Sequence, residues 1–454
     1  MSSSRKSLGQ RAVVVGASIA GMLAARVVAA HVDEVVVLDR DEIGEVPAPR
    51  RMTPQSHHVH MLLKGGDNAI NRLVPGFHDA IEQAGSLKVR GGLDFVGASE
   101  FGVAPRVDSG TELHSQSRWT LEHCIRNRVL ATTPNVGLRT GTTVRGLQYD
   151  AAVNRVTGVL LDTGSSATDA AAIELPADVV IDASGRGEAG MRWLSALGLA
   201  LPEVEEVGVD FGYASAVIDI DPTQERDWTG LAIGNLPRVG ARGAVILPIE
   251  HGLYMVSLGG RAGDYPPESI DDVLEFAKSL PHPLMYETLS RAKFVTPISR
   301  MIYPANRFRH YERLTSLPIG LLPIGDAVCS FNPTYGHGMS SAALQAEALF
   351  ETLDERTADQ GLGALARIYL TRAAQAARLP WRQANYNDFL YPTTTGDRSM
   401  FSDDELNYRM QVAIASTKHA EVRRLANEVS QLLIPFERLL EPDVRAMVAS
   451  ALAA

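Results

Sequence analysis

The sequence predicts an α/β protein with a parallel-sheet, Rossmann-like domain, an antiparallel β-sheet domain and a helical C-terminal region. Three observations carry that prediction. Ala12-Val13-Val14-Val15, the segment Gly16 to Ala30 and the run Glu34 to Leu38 give a buried strand, a tight turn into an Ala-rich helix, and a second strand. From Gly208 to about Leu258 the texture changes to alternation, as in Val209–Ala214 and Leu253–Leu258, the pattern of antiparallel strands in a separate sheet. After Phe294 short strands return, with a buried one at Ile319–Ile324 and a glycine-interrupted helix from Gly338 to about Leu353. Helical patterning dominates beyond residue 366.

Taken in order, the βαβ unit is followed by a loop with prolines (Val46–Pro54) and a helical stretch from about Leu62 to Leu73. Strands are predicted within Gly91–Ser109, a helix over Trp119–Ala131, paired strands at Val136–Asp150 and Arg155–Asp162, and a buried strand at Asp178–Asp182. A helix over Ile270–Leu280 closes the alternating region. A chain of 454 residues exceeds what one core usually holds. The elements therefore group as a discontinuous nucleotide-binding domain (1–75, 105–190 and 295–365), a substrate domain (76–104 and 191–294) and a helical region (366–454).

Composition narrows the function. Hydrophobic residues make up 45% and charged residues 21%, as in ordinary globular proteins. The formal net charge of -10, with no basic stripe, argues against a nucleic-acid partner. Only Cys124 and Cys329 occur, too few for a disulfide framework, so a reducing compartment is expected. The polar, basic start (Met1–Arg11) runs straight into a strand, and the apolar stretch Ala12–Ala30 is broken by Gly16, Ser18, Gly21 and Arg26. It reads as strand–turn–helix rather than as a signal peptide or membrane span, so a cytoplasmic protein without stable membrane insertion is expected.

The turn Gly16-Ala17-Ser18-Ile19-Ala20-Gly21 lies between strand and helix, where unpaired N–H groups at a helix start attract an anion. Gly16 permits the turn, Ser18 lets the backbone approach a pyrophosphate, and Gly21 lets the helix pack on the sheet. Asp39 ends the second strand, placed to accept from ribose hydroxyls, and Arg40 follows it. A second segment runs Gly325-Asp326-Ala327, then Pro333-Thr334-Tyr335-Gly336-His337-Gly338-Met339. Asp326 suits a polyol, glycines 336 and 338 let main chain lie against a flat ring, and the helix opening there aims its positive end at developing negative charge.

Gly16–Gly21 with Asp39-Arg40, then Asp182-Ala183-Ser184-Gly185-Arg186, then Gly325-Asp326, resemble in order and spacing the group A flavoprotein monooxygenases, the family of para-hydroxybenzoate hydroxylase. Pro54–His60, Ser117–Glu122 and Cys329–Pro333 are similar to an actinobacterial subgroup of natural-product epoxidases and hydroxylases. The resemblance implies bound FAD and hydroxylation or epoxidation of a small hydrophobic molecule through a flavin C4a-hydroperoxide, with molecular oxygen as co-substrate. It implies that Arg118 contacts the ribityl or phosphate region, that Val144 contacts adenine, that Asp326 binds ribityl, and that Pro333 to Met339 line the isoalloxazine. Asp182 would complete the cofactor set.

Two departures stand out. The middle motif of hydroxylases reads Asp-Gly, whereas Ala183 and Ser184 separate Asp182 from Gly185 here, and that motif is associated with nicotinamide use. Electrons can come from NAD(P)H or from a separate flavin reductase, since no second dinucleotide fingerprint is present. The third motif departs at Ala327-Val328-Cys329, where Cys329 reads as an apolar packing residue. The tryptophans, at 119, 193, 228 and 381, include no Trp-x-Trp pair of the flavin halogenases.

No residue is singled out as catalytic; His58, His60 and Tyr335 are the candidates. His57, His58 and His60 have no carboxylate or Cys beside them to complete a metal site, and no metal is expected in the chain. Of Arg50 and Arg51, at least one is expected in solvent. Phe211, Tyr213, Tyr254, Met255 and Phe294 are either plain core or the wall of a hydrophobic pocket over the flavin. Two alternatives keep the fold: a cyclase that holds FAD as a scaffold, and a flavin dehydrogenase or reductase.

Overall fold

A computed structural model of the chain describes residues 8–100, 102–162, 173–235, 240–357 and 360–453. Most of the polar start, Met1–Ser7, lies outside the described residues. The first strand (Gly9–Val15) is the centre of a five-stranded parallel sheet. Its neighbours are Val179–Asp182 and then Leu321–Pro323 on one side, and Val32–Leu38 and then Val136–Arg139 on the other. Valines and isoleucines fill these strands because a parallel sheet is covered on both faces. The helices Ile19–Val28 and His337–Asp354 pack on it, and Ala24, Val28, Ala343 and Leu349 are fully buried there.

A ten-stranded sheet forms the second layer. Its spine is the strand Val204–Asp219, flanked by Tyr254–Arg261 and Ser299–Arg309, both antiparallel to it. The pair Phe95–Ser99 and Gly230–Gly234 runs parallel. Helix Ile270–Lys278 covers the outer face through Val273, Phe276 and Ala277. Helices Leu362–Asp388, Asp403–Ser416, Ala420–Ser430 and Pro442–Ala453 build the C-terminal region, with its own core around Tyr386, Tyr408 and Phe436.

The domain grouping differs from the sequence expectation at two places. Within 76–104, the helix Phe77–Gln83 packs into the first core, because Phe77 and Ile81 are fully buried with Ile125 and Val129. Within 295–365, the strand Ser299–Arg309 belongs to the ten-stranded sheet, where its hydrogen bonds to Val204–Asp219 fix it. The predicted strand Ile319–Ile324 shortens to Leu321–Pro323, following Gly320 at φ +90°. Among the described residues no helix is long and apolar enough to cross a membrane.

Candidate functional site

The carboxyl ends of the parallel strands open onto a cleft of about 1780 Å³ that reaches the ten-stranded sheet and the C-terminal helices. Ligands favour this end of a parallel sheet, where strand-to-helix turns expose backbone donors. Gly16, at φ +110°, makes the first turn, and a Cβ there would stand 2.4 Å from the Ala183 carbonyl oxygen. Ser18 precedes the helix Ile19–Val28 without capping it, so the first amides keep no side-chain partner. Ser18 Oγ donates instead to Glu122 (2.8 Å). The second helix start is equally open: Gly336, at φ +67°, leads into His337–Asp354 with no side-chain cap.

Most of the sequence-selected cofactor residues line this one cleft: Gly16, Ser18, Ile19, Ala20, Asp39, Arg40, Arg118, Val144, Asp326, Pro333, Gly336, Gly338 and Met339. Three do not. Gly21 lies behind the turn, where a Cβ would fall 1.8 Å from the Gly16 carbonyl oxygen. Gly325 sits at φ +69°, donating its N–H to Gln345 Oε1 (2.8 Å). Asp182 is buried and turned into its own loop, accepting from the Ser184 amide (3.0 Å), so it shapes the turn rather than facing a ligand.

Asp39, at the cleft wall, also holds hydrogen bonds within the chain. One carboxylate oxygen accepts from the Ala17 amide (2.7 Å) and Arg50 (3.0 Å), and the other from the Asp41 amide (2.9 Å). Arg50 further pairs with Glu122 (3.1 Å), which Arg118 also contacts (2.9 Å). Arg51 is the exposed member of its pair. The sequence carries no local signal for this network, because Arg50 and Glu122 are brought together only by the fold.

Asp326 is the unspent polar group. Its carboxylate makes no side-chain hydrogen bond among the described residues, and desolvation raises it above the ordinary carboxylate range against the opposing pull of Arg186, Arg118 and Arg309. An open carboxylate beside two uncapped helix starts fits a nucleotide cofactor with both an anionic pyrophosphate and a hydroxylated chain, which FAD has.

Of the catalytic candidates, His60 and Tyr335 line the cleft and His58 does not. His58 is buried edge-on to Tyr213, with ring centroids 4.2 Å apart, and shares a hydrogen bond with Ser215 Oγ (2.8 Å). Burial, then the neighbouring His57 and Arg186, lowers it to about 3, so it is neutral. His60 Nδ1 donates to the His58 carbonyl (2.9 Å), and burial, then Arg118, holds this ring neutral too. The Tyr335 phenol donates to Asp388 (2.8 Å), and burial, followed by the Asp388 charge, pushes it well above its ordinary value. It stays protonated.

Asp388 is the centre of a buried polar cluster not legible in the sequence. Arg261 (2.5 Å), Asn306 (2.8 Å), Asn332 (2.9 Å) and Tyr335 all donate to it. Arg409, also missed, lines the same end of the cleft and donates to Asn387 (3.2 Å).

Phe211 and Tyr213 face the cleft, and their side chains stack at 5.6 Å. Tyr254 and Phe294 do not; they pack against the core beneath helix Ile270–Lys278. The phase of the pleat explains it. Both pair with Ile218, five residues from Tyr213 and so on the opposite face. Cys124 and Cys329 are both buried, and burial raises Cys124 to about 11 and Cys329 well above its ordinary value, so neither is a nucleophile.

No family model matches the chain. Protein Rv3254 of Mycobacterium tuberculosis (strain ATCC 25618 / H37Rv) is 35% identical over 359 residues, covering 76% of this chain and 73% of its own. The chain belongs to the same family as that protein. Among solved structures, the flavin-dependent brominase Bmp2 superimposes with a TM-score of 0.68 at 15% identity, covering 98% of both chains. p-Nitrophenol 4-monooxygenase PnpA from Pseudomonas putida DLL-E4 gives 0.62 at 17%, over 94% of this chain and 99% of its own. PqsL, a probable FAD-dependent monooxygenase from Pseudomonas aeruginosa, gives 0.60 at 15%, over 92% and 98%. At these identities the likeness is one of fold alone.

Proposed function

We propose that the chain is an FAD-dependent monooxygenase that hydroxylates or epoxidises a small hydrophobic molecule, in natural-product biosynthesis. The observation that carries the proposal is the single cleft of about 1780 Å³ joining two uncapped helix starts to an aromatic wall. That volume exceeds the roughly 300–1,000 Å³ of a one-ligand pocket, which suits a cofactor and a substrate side by side.

When bound, the flavin supplies the activation of molecular oxygen. The residues of the chain hold and orient the reactants. The first helix start would hold the pyrophosphate, Asp326 would accept from ribityl hydroxyls, and the positive end of the helix opening at His337 would favour negative charge developing on the cofactor. Phe211 and Tyr213 offer apolar surface to the substrate and keep water out. Neutral His60, with Nδ1 tied to a carbonyl, has Nε2 left to accept a hydrogen bond from a substrate hydroxyl and orient it. The absence of a Trp-x-Trp pair favours oxygenation over halogenation.

The test is anaerobic reduction of the FAD-loaded chain by NADPH, NADH or a flavin reductase, followed by labelled oxygen with candidate polyketides and terpenoids. One labelled oxygen atom in a product supports the proposal. A chain that binds no FAD sinks it. Product formed without reduction or oxygen indicates the scaffold cyclase, and turnover without label indicates a dehydrogenase.

A further inference from the structure

Away from the cleft, three side chains from three elements converge. Asp67 lies on helix Lys64–Leu73, His78 on helix Phe77–Gln83 and His114 on strand Glu112–Ser115. Asp67 Oδ1 stands 3.0 Å from His78 Nε2 and 3.7 Å from His114 Nδ1, and all three atoms lie within 4.8 Å of one another. Asp67 and His114 are buried, and His78 is half-buried.

The arrangement around His114 argues for more than an ionic cluster. Its Nε2 shares a hydrogen bond with Glu82 Oε1 (3.2 Å). Its Nδ1 is buried and has no hydrogen-bond partner. Asp67 and Glu82 together raise His114 and favour its protonated form in the metal-free cluster. A cation between Nδ1 and Asp67 Oδ1, now 3.7 Å apart, would displace the Nδ1 proton while Glu82 keeps the one on Nε2. This is how an outer carboxylate orients an imidazole for a metal. Lys64 Nζ contacts the other oxygen of Asp67 (2.8 Å), leaving Oδ1 as the ligand atom. Lys88 and Glu112 complete the local charges, with Lys88 3.1 Å from Glu82 and 3.8 Å from Glu112.

We propose that Asp67, His78 and His114 bind one divalent transition-metal ion of the zinc class. Metal–ligand bonds of about 2.0–2.2 Å put tetrahedral ligand atoms about 3.3–3.5 Å apart, and 3.0 and 3.7 Å bracket that spacing. Two imidazoles and one carboxylate suit zinc, cobalt or nickel better than magnesium or calcium. The fourth position falls to water, on the side of half-buried His78. The ion clips the two-stranded ladder Leu87–Arg90/Glu112–Ser115 to the two helices, shortly before Arg118 enters the cleft wall.

The test is Zn(II) titration of the full-length, FAD-loaded chain after stripping with a chelator, read by competition with a chromophoric chelator. One equivalent is expected, with affinity lowered about 10–100-fold in Glu82→Gln and lost in the double variant His78→Ala/His114→Ala. Lys64→Ala, outside the ligand set, keeps the binding. No retained zinc, or equal binding by the double variant, overturns the proposal. Should the double variant not fold, X-ray absorption on zinc-loaded wild type decides: two imidazoles around the ion support the site, and none overturns it.

Discussion

Arg261 and Asp388 form a buried ion pair, 2.5 Å from nitrogen to oxygen, that ties the ten-stranded sheet to the end of the longest C-terminal helix. Asp388 is wholly buried and the Arg261 side chain is 3% exposed, so each charge depends on the other. Removing one partner strands a charge away from water. Asp388→Ala is expected to cost about 3–5 kcal/mol of stability, measured by chemical denaturation. A double substitution, Arg261→Met with Asp388→Leu, is expected to recover part of that loss, and a double variant as unstable as the single one contradicts the account.

Gly16→Val tests the first turn. A side chain there meets the Ala183 carbonyl oxygen at 2.4 Å, and the backbone at φ +110° resists any Cβ. The purified variant is expected to lose its flavin absorbance, whereas wild type is yellow. A yellow Gly16→Val protein would remove this turn from the cofactor site.

Arg50 and Arg51 are neighbours with opposite fates. Arg50→Ala leaves Asp39, Asp41 and Glu122 without their shared cation, so both thermal stability and flavin affinity are expected to fall. Arg51→Ala, at an exposed position, is expected to stay within about 0.5 kcal/mol of wild type. Equal melting temperatures for the two variants would contradict the network.

Stability is bounded by histidines of opposite kind. Burial acts to lower His310, but hydrogen bonds to Glu205 and Glu312 outweigh it and raise the group to about 9. Its contribution, on the order of 3 kcal/mol at most, is complete below pH about 6.5 and lost as pH rises through about 9. Burial lowers His337 to about 4, so its neutral form is favoured and the stability it lends is present above pH about 6.5 and lost as pH falls through about 4. His310→Gln is expected to flatten the alkaline limb of a stability–pH curve and leave the acid limb in place.

What the sequence made legible was local. The turn at Gly16 and the loop from Pro333 to Met339 announce themselves through glycines beside apolar runs, and both reach the cleft. The sequence leaves Tyr254 and Phe294 open between core and pocket wall, because composition names aromatics without naming their face. Only the register against Ile218 reveals that they point away. Asp388 lies 127 residues beyond Arg261, and Glu122 lies 72 beyond Arg50 by position, so neither pair leaves a periodic trace. The cluster of Asp67, His78 and His114 is hidden for the same reason, since its third member arrives on a distant strand.

The Arg261–Asp388 pair also sets a schedule for a chain made from one end. Arg261 leaves the ribosome 127 residues before its counter-ion. At about 5–20 residues per second, that is a wait of roughly 6–25 seconds. Throughout it the antiparallel sheet holds a guanidinium without its counter-ion, so the sheet stays unsealed around Arg261 until the helix Leu362–Asp388 has emerged. A prematurely terminated chain is thereby left unfinished at its middle as well as at its end.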